Sequence, residues 1–145
     1  MAIFSKTCEY AIRAVFFIAQ KTEDGGKVGI KEIAEEIDAP AHFLAKILQD
    51  LSRRGLVQSS KGPNGGFYVD QYTLKRPLAD IVEAVDGNGV FFGCGLGLKE
   101  CSQKNPCPLH TEFKKIRDDL HYLLKTTSIG DFNGELNLGT ASLKR

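Results

Sequence analysis

The sequence predicts a mainly α-helical chain: a winged helix-turn-helix domain with a β-hairpin wing, extended by a long C-terminal dimerisation helix. Three observations carry this. Apolar residues recur at helical spacing on both sides of the break Asp38-Ala39-Pro40. A Pro-Asn-Gly-Gly turn between two strand-like runs follows directly. A later segment spaces its apolar residues alternately four and three apart. With 145 residues, 42% hydrophobic and 26% charged, the composition is that of a globular chain with one core.

The elements follow in order. Lys6 to Gln20 read as a helix with stripes at Ala11, Ala14, Val15, Ile18 and at Ile12, Phe16, Ala19. A helix apolar on most sides is central to a core. TEDGG ends it. In IKEIAEEI, Ile30, Ile33, Ala34 and Ile37 form one helical face. Pro40 suits the first turn of the next helix, where its missing N–H costs nothing. Leu44, Ile47, Leu48 and Leu51 repeat the spacing, and Gly55 caps the end. LVQSS and FYV around KGPNGG read as a hairpin, and a hairpin after a recognition helix is a wing. LADIVEAVDG is a short helix with Ile81, Val82 and Val85 inward and Gly87 as its stop. Pro108 opens the last long helix, whose seam is Leu109, Phe113, Ile116, Leu120 and Leu123. The domain boundaries expected are 1–87 for the DNA-binding unit, its first helix also packing on the dimerisation helix; 88–107 for a cysteine-rich loop; 108–132 for the dimerisation helix and its return; and 133–145 for a flexible Gly- and polar-rich tail.

The net charge of +1 means that nucleic-acid binding must come from local charge. Between Ala41 and Gly66 the basic residues Lys46, Arg53, Arg54 and Lys61 face one acid, Asp50, a local +3. Away from the apolar stripe the second helix carries Ala41, His42, Lys46 and Gln49, which can meet base edges or phosphates in a major groove. Arg53 adds charge at its end. Lys61 and Asn64 stand at the wing tip, where Gly65 lets backbone approach phosphate. A small helical domain with solvated charges fits the helix pair alone; the wing favours double-stranded DNA as partner.

CGLGLKECSQKNPCPLH concentrates Cys94, Cys101, Cys107 and His110 in one Gly- and Pro-rich loop. No run approaches the ~20 apolar residues of a membrane span. The N-terminus lacks signal-peptide features, so no membrane association and a cytoplasmic, reducing setting are expected. There, clustered thiols more often bind metal or do redox work than form disulfides. Spacings of six and five residues suit an iron–sulfur cluster better than zinc, which favours close Cys-x-x-Cys pairs. Cys107, between Pro106 and Pro108, is expected at a helix N-terminus that favours thiolate. His110, three residues on, is a candidate fourth ligand. His121 reads as surface. Zinc, or a loop doing thiol redox chemistry, remain the alternatives. Cys8 in isolation is a small buried hydrophobe.

CEYAIRAVFFIAQ, IKEIAEEI, the Leu-Val-x-Ser-x-Lys-Gly-Pro-x-Gly-Gly wing, LADIVEAVDG and CxxxxxCPLH resemble, in order and spacing, the IscR/NsrR (Rrf-two) family, from about Ser5 to Phe132. The resemblance implies a dimeric, bacterial winged-helix transcription regulator whose iron–sulfur cluster senses redox stress, nitric oxide or cluster supply. It implies ligation by Cys94, Cys101 and Cys107. The fourth ligand is either His110, as in the [2Fe–2S] branch, or Cys8 of the partner subunit, where the nitric-oxide branch places an acidic ligand. All-cysteine ligation fits a [4Fe–4S] cluster, and on softness of the ligand Cys8 and [4Fe–4S] are placed ahead. The sequence departs from the cluster-homeostasis branch at Ala45, where Glu is common, and at Lys61, where Arg is common.

The function expected is that of a homodimeric repressor on an inverted-repeat operator. The rivals are a regulator of the same family without a working cluster, controlled by thiols or an effector, and a redox or metal carrier retaining the fold. No phosphate loop, paired acids or nucleophile–base pattern points to an enzyme.

Overall fold

The computed structural model describes residues 3–145. The order is α1 (Lys6–Lys21), α2 (Ile30–Ile37), α3 (Ala41–Arg53), β1 (Gln58–Ser60), β2 (Gly66–Tyr68), α4 (Gln71–Leu74), α5 (Leu78–Asp86), α6 (Gly89–Phe92), α7 (His110–Thr126) and α8 (Asn133–Leu138). No helix among the described residues is long and apolar enough to cross a membrane.

Helix α1 is the central element. Cys8, Ala11, Ala14, Val15 and Ile18 are fully buried, and small residues at three of these five positions let neighbouring helices approach closely. Its start is capped twice over. Ser5 Oγ accepts from the Cys8 N–H at 3.0 Å. Ser5 in turn donates its own N–H, at 2.9 Å, and its hydroxyl to the Asp86 carboxylate at the end of α5. At the other end the buried Thr22 donates its hydroxyl to Ile18 O at 2.7 Å and accepts the Val69 N–H at 3.2 Å. The DNA-binding unit is thereby tied to α1 at both ends.

Helix α2 ends where Asp38 turns left-handed at φ 55°, and Pro40 then caps α3. The stripes Ile33, Ala34, Ile37 and Leu44, Ile47, Leu48, Leu51 are all buried, so both helices lie where the periodicity puts them. Strands β1 and β2 pair antiparallel with Gln58 opposite Tyr68, Ser59 opposite Phe67 and Ser60 opposite Gly66. Val28, just before α2, bridges to Phe67 through bonds of 2.9 and 2.8 Å, so the wing has a third short partner. Gln58 fixes the wing root: it donates to Thr73 Oγ1 at 2.9 Å and accepts the Asp70 N–H at 2.8 Å.

Several expectations are corrected. Helix α7 starts at His110, not Pro108, because Pro108 and Leu109 form a turn closed by the His110 N–H on Cys107 O at 3.0 Å. Cys107 therefore does not sit at a helix N-terminus. Within one subunit α7 packs chiefly on α5 and α6. The 133–145 segment, expected as a flexible tail, carries α8. Asn133 Nδ2 donates to Ala19 O at 3.3 Å, and Phe132 meets Phe16 edge-on at 5.8 Å. His121, expected at the surface, is half-buried and stacks on Phe91 at 4.5 Å, with Phe92 edge-on at 5.2 Å.

Candidate functional site

The candidate DNA-facing residues lie on α3 and the wing. Ala41, His42, Lys46 and Gln49 are exposed along α3, opposite its buried stripe, and Arg53 is exposed at its end. Lys61 and Asn64 are exposed at the wing tip. Gly65 sits inside that turn, its N–H on Gly62 O at 2.9 Å; a Cβ there would stand 2.2 Å from Ser60 O. No other residue fits without reshaping the turn. Arg54 pairs with Asp50 at 3.2 Å, which removes both from the charge count. Lys46, Arg53 and Lys61 form no ion pair among the described residues. Lys27 joins them at the wing, 3.3 Å from Ser60 Oγ and over the Tyr68 ring at 5.9 Å. It lies 33 residues from Ser60 in sequence, and only the Val28–Phe67 bridge brings it there.

The cysteine loop closes over the first half of α7. The Cys101 Sγ and His110 Nδ1 atoms are 3.3 Å apart. Arg117, one heptad beyond His110, donates from one Nη to Cys101 Sγ at 3.1 Å and from the other to the Gly93 carbonyl. His110 and Arg117 are 8% and 5% exposed, and His110 Nε2 and Arg117 Nε are buried without a partner. Gly95 passes so close to α7 that a Cβ on it would be 2.7 Å from the Phe113 ring. The Cys94 thiol is held below its ordinary range, first by the Leu96 N–H, with Sγ 3.4 Å away, then by the Leu98 N–H and by the Cys107 thiol. Backbone donors stabilise the thiolate of Cys94.

The four loop donors thus stand as two pairs, Cys94 with Cys107 and Cys101 with His110. Among the described residues no three His, Cys, Asp or Glu side chains converge as a metal-holding group. The donor set, three cysteine sulfurs with one imidazole, has the chemistry a soft metal takes, and buried atoms at its base lack partners. Cys8 is elsewhere. It is 0% exposed within its own subunit, and burial, with the Asp86 carboxylate beside it, pushes its thiol up to about 12.

The sequence profile of the family described as "Rrf2: Iron-dependent Transcriptional regulator" matches residues 4–135. The chain belongs to the Rrf2 family of transcriptional regulators. It is 34% identical over 131 residues to an HTH-type transcriptional regulator of Aquifex aeolicus, covering 89% of this chain and 90% of that relative. It is 25% identical over 122 residues to the HTH-type transcriptional regulator IscR of Escherichia coli, covering 84% and 74%. Its fold is similar to that of CymR, the global cysteine regulator of B. subtilis, with a TM-score of 0.73, 22% identity, and coverage of 92% and 97%. The Rrf2 family consists of DNA-binding transcriptional regulators, not enzymes, and the winged helix described above is its DNA-binding unit.

Proposed function

We propose that this Rrf2 regulator is a cytoplasmic, homodimeric repressor of an inverted-repeat operator, controlled by an iron–sulfur cluster on Cys94, Cys101, Cys107 and His110. The observation that carries the reading is His110. Its Nε2 is buried and unpartnered while its Nδ1 faces Cys101, an arrangement that a soft metal site relieves and a plain surface loop does not need. Cys8, buried beside Asp86 in its own subunit, is poorly disposed to reach a partner's site, so the choice moves to His110. With it, by resemblance, the cluster moves from [4Fe–4S] to [2Fe–2S].

When bound, such a cluster supplies a centre that gains or loses an electron and reacts with oxidants. The chain's residues do the rest. Leu96 and Leu98 N–H groups hold the Cys94 thiolate, and Arg117 ties Cys101 to the loop entrance at Gly93. Behind Gly93, α6 is anchored by buried Phe91, and the chain then runs back to Asp86 and the cap of α1. A loop that moves on cluster loss shifts that route, and differential contacts in the two states are what change DNA affinity. Leu109, just before α7, and Ile116 and Leu123 on it are 48, 64 and 56% exposed, an apolar seam for a second copy. Lys46, Arg53, Lys61, His42, Gln49, Ala41, Asn64 and Gly65, with Lys27 added, form the DNA face in this reading; two copies related by a twofold meet successive major grooves about 34–36 Å apart.

A regulator working through thiol chemistry alone is the second reading, favoured by the standing of the donors as two pairs. Anaerobic reconstitution with iron and sulfide counts and absorption spectra separates the two. Under the cluster reading the wild type and Cys8→Ser hold equal iron and sulfide, and His110→Ala loses the native spectrum. Iron in none of them, with DNA affinity changed by thiol oxidants, establishes the second reading instead.

A further inference from the structure

Arg117 has no role in the function so far beyond its contacts. It is a charged side chain, 5% exposed, that forms no ion pair among the described residues. Burying an unpaired guanidinium is costly, and proteins normally match it with a carboxylate. Here the nearby groups are a thiol, the Gly93 carbonyl and the Phe113 ring, whose centroid is 5.8 Å from the guanidinium carbon. Its Nε has no partner at all. The acids next to it in sequence, Asp118 and Asp119, are exposed; Asp118 is paired with Lys114 at 2.6 Å and feels Arg117 only through an unbonded attraction. A buried cation whose neighbouring carboxylate is exposed and already paired, touching one candidate ligand and bonded to the residue before another, lacks a buried countercharge.

We propose that Arg117 is the charge-compensating positioning residue of the cysteine site: its guanidinium balances the negative charge that thiolates and a bound cluster bring, and holds Cys101 and Gly93 in register for them. The inference rests on the cluster reading above. It makes two consequences separable. Charge balance favours the reduced cluster, because one-electron reduction adds a negative charge next to a fixed cation; in titration the electron comes from the electrode through mediators. Register favours retention of iron.

The test compares wild type, Arg117→Met, which keeps length without charge, and Arg117→Lys, which keeps charge without the two-pronged fork. After anaerobic reconstitution, Arg117→Met should release iron to a chelator about tenfold faster. Its midpoint potential should fall by about a tenfold change in the one-electron equilibrium, about 59 mV. Arg117→Lys should keep the wild-type potential. Apo Arg117→Met should melt no lower than apo wild type, because in the apo site the buried cation is uncompensated and its removal relieves a cost. Should Arg117→Met not fold, Arg117→Gln, which retains a donor for Gly93, carries the same comparison. Unchanged potential and iron release with a lowered apo melt would make Arg117 a packing residue and end the proposal. Wild type that retains neither iron nor sulfide overturns the cluster reading itself, and Arg117's role with it.

Discussion

Between Ile30 and Arg53 the repeating apolar stripes are buried, Ile30 being half-buried at the start, and the polar residues between them are exposed or half-exposed. Between Gly93 and Leu109 the order is reversed. Leu96 and Leu98 are 51% and 56% exposed, while the base of the loop buries a histidine and an arginine with unpaired nitrogens. The first region is stabilised by its own hydrophobic contacts. The second has little apolar burial of its own and leaves polar groups without partners, which is how a segment looks when its stability is to come from something it binds. One region is a scaffold that presents side chains; the other, in the reading proposed above, is a site whose contacts a cluster would complete.

The largest effect should come from breaking the scaffold. Leu48→Ala, at a fully buried position, should lower unfolding free energy by about 3 kcal/mol. Leu98→Ser in the loop should change it by less than ~0.5 kcal/mol. Urea midpoints with unchanged slopes check this, and equal losses would erase the distinction between the regions.

The thiols sharpen it. Cys8 has its thiol raised from 9.0 to about 12 by burial. The folded state therefore holds that proton where the unfolded state releases it. The stability this represents is complete below pH 9 and drains as pH rises toward 12. Midway, wild type should have lost about 2 kcal/mol more than Cys8→Ala, relative to their neutral-pH values. Chemical denaturation as a function of pH provides the measure; parallel curves would mean that the thiol is not held in the core. The smallest effect belongs to the recognition face. Lys61→Ala should reduce the salt dependence of operator binding by roughly one phosphate contact, with little change in melting. An identical slope would take the wing tip off the phosphates.

The same contrast decides what was legible in the sequence. Helices α1, α2, α3 and α5 and the wing announced themselves because each carries its own periodicity and its own stop signals, such as Gly55 and Gly87. Helix α8 did not, because NGELNL is too short to show a period and is ordered by contacts more than a hundred residues away. On α7 the apolar seam was readable, but the opposite face was not. Its buried residues are His110, Arg117 and Leu124, seven apart, and two of the three are polar. A hydrophobicity pattern passes over such a stripe. His110 was found through its neighbouring cysteines; Arg117 had no such marker, and His121 was misread because its partners Phe91 and Phe92 arrive from a separate short helix. Lys27 escaped for the same reason, a bridge that local pattern does not encode.

The seating of α8 on α1 has a consequence for biosynthesis. Asn133 reaches Ala19 across 114 positions of chain, and Phe132 reaches Phe16 beside it. At translation rates of about 5–20 residues per second, α1 leaves the ribosome roughly 6–23 seconds before the residues that cover this flank. During that interval the DNA-binding helices can assemble on one side of α1 while its other side stays open to chaperones and to other nascent chains.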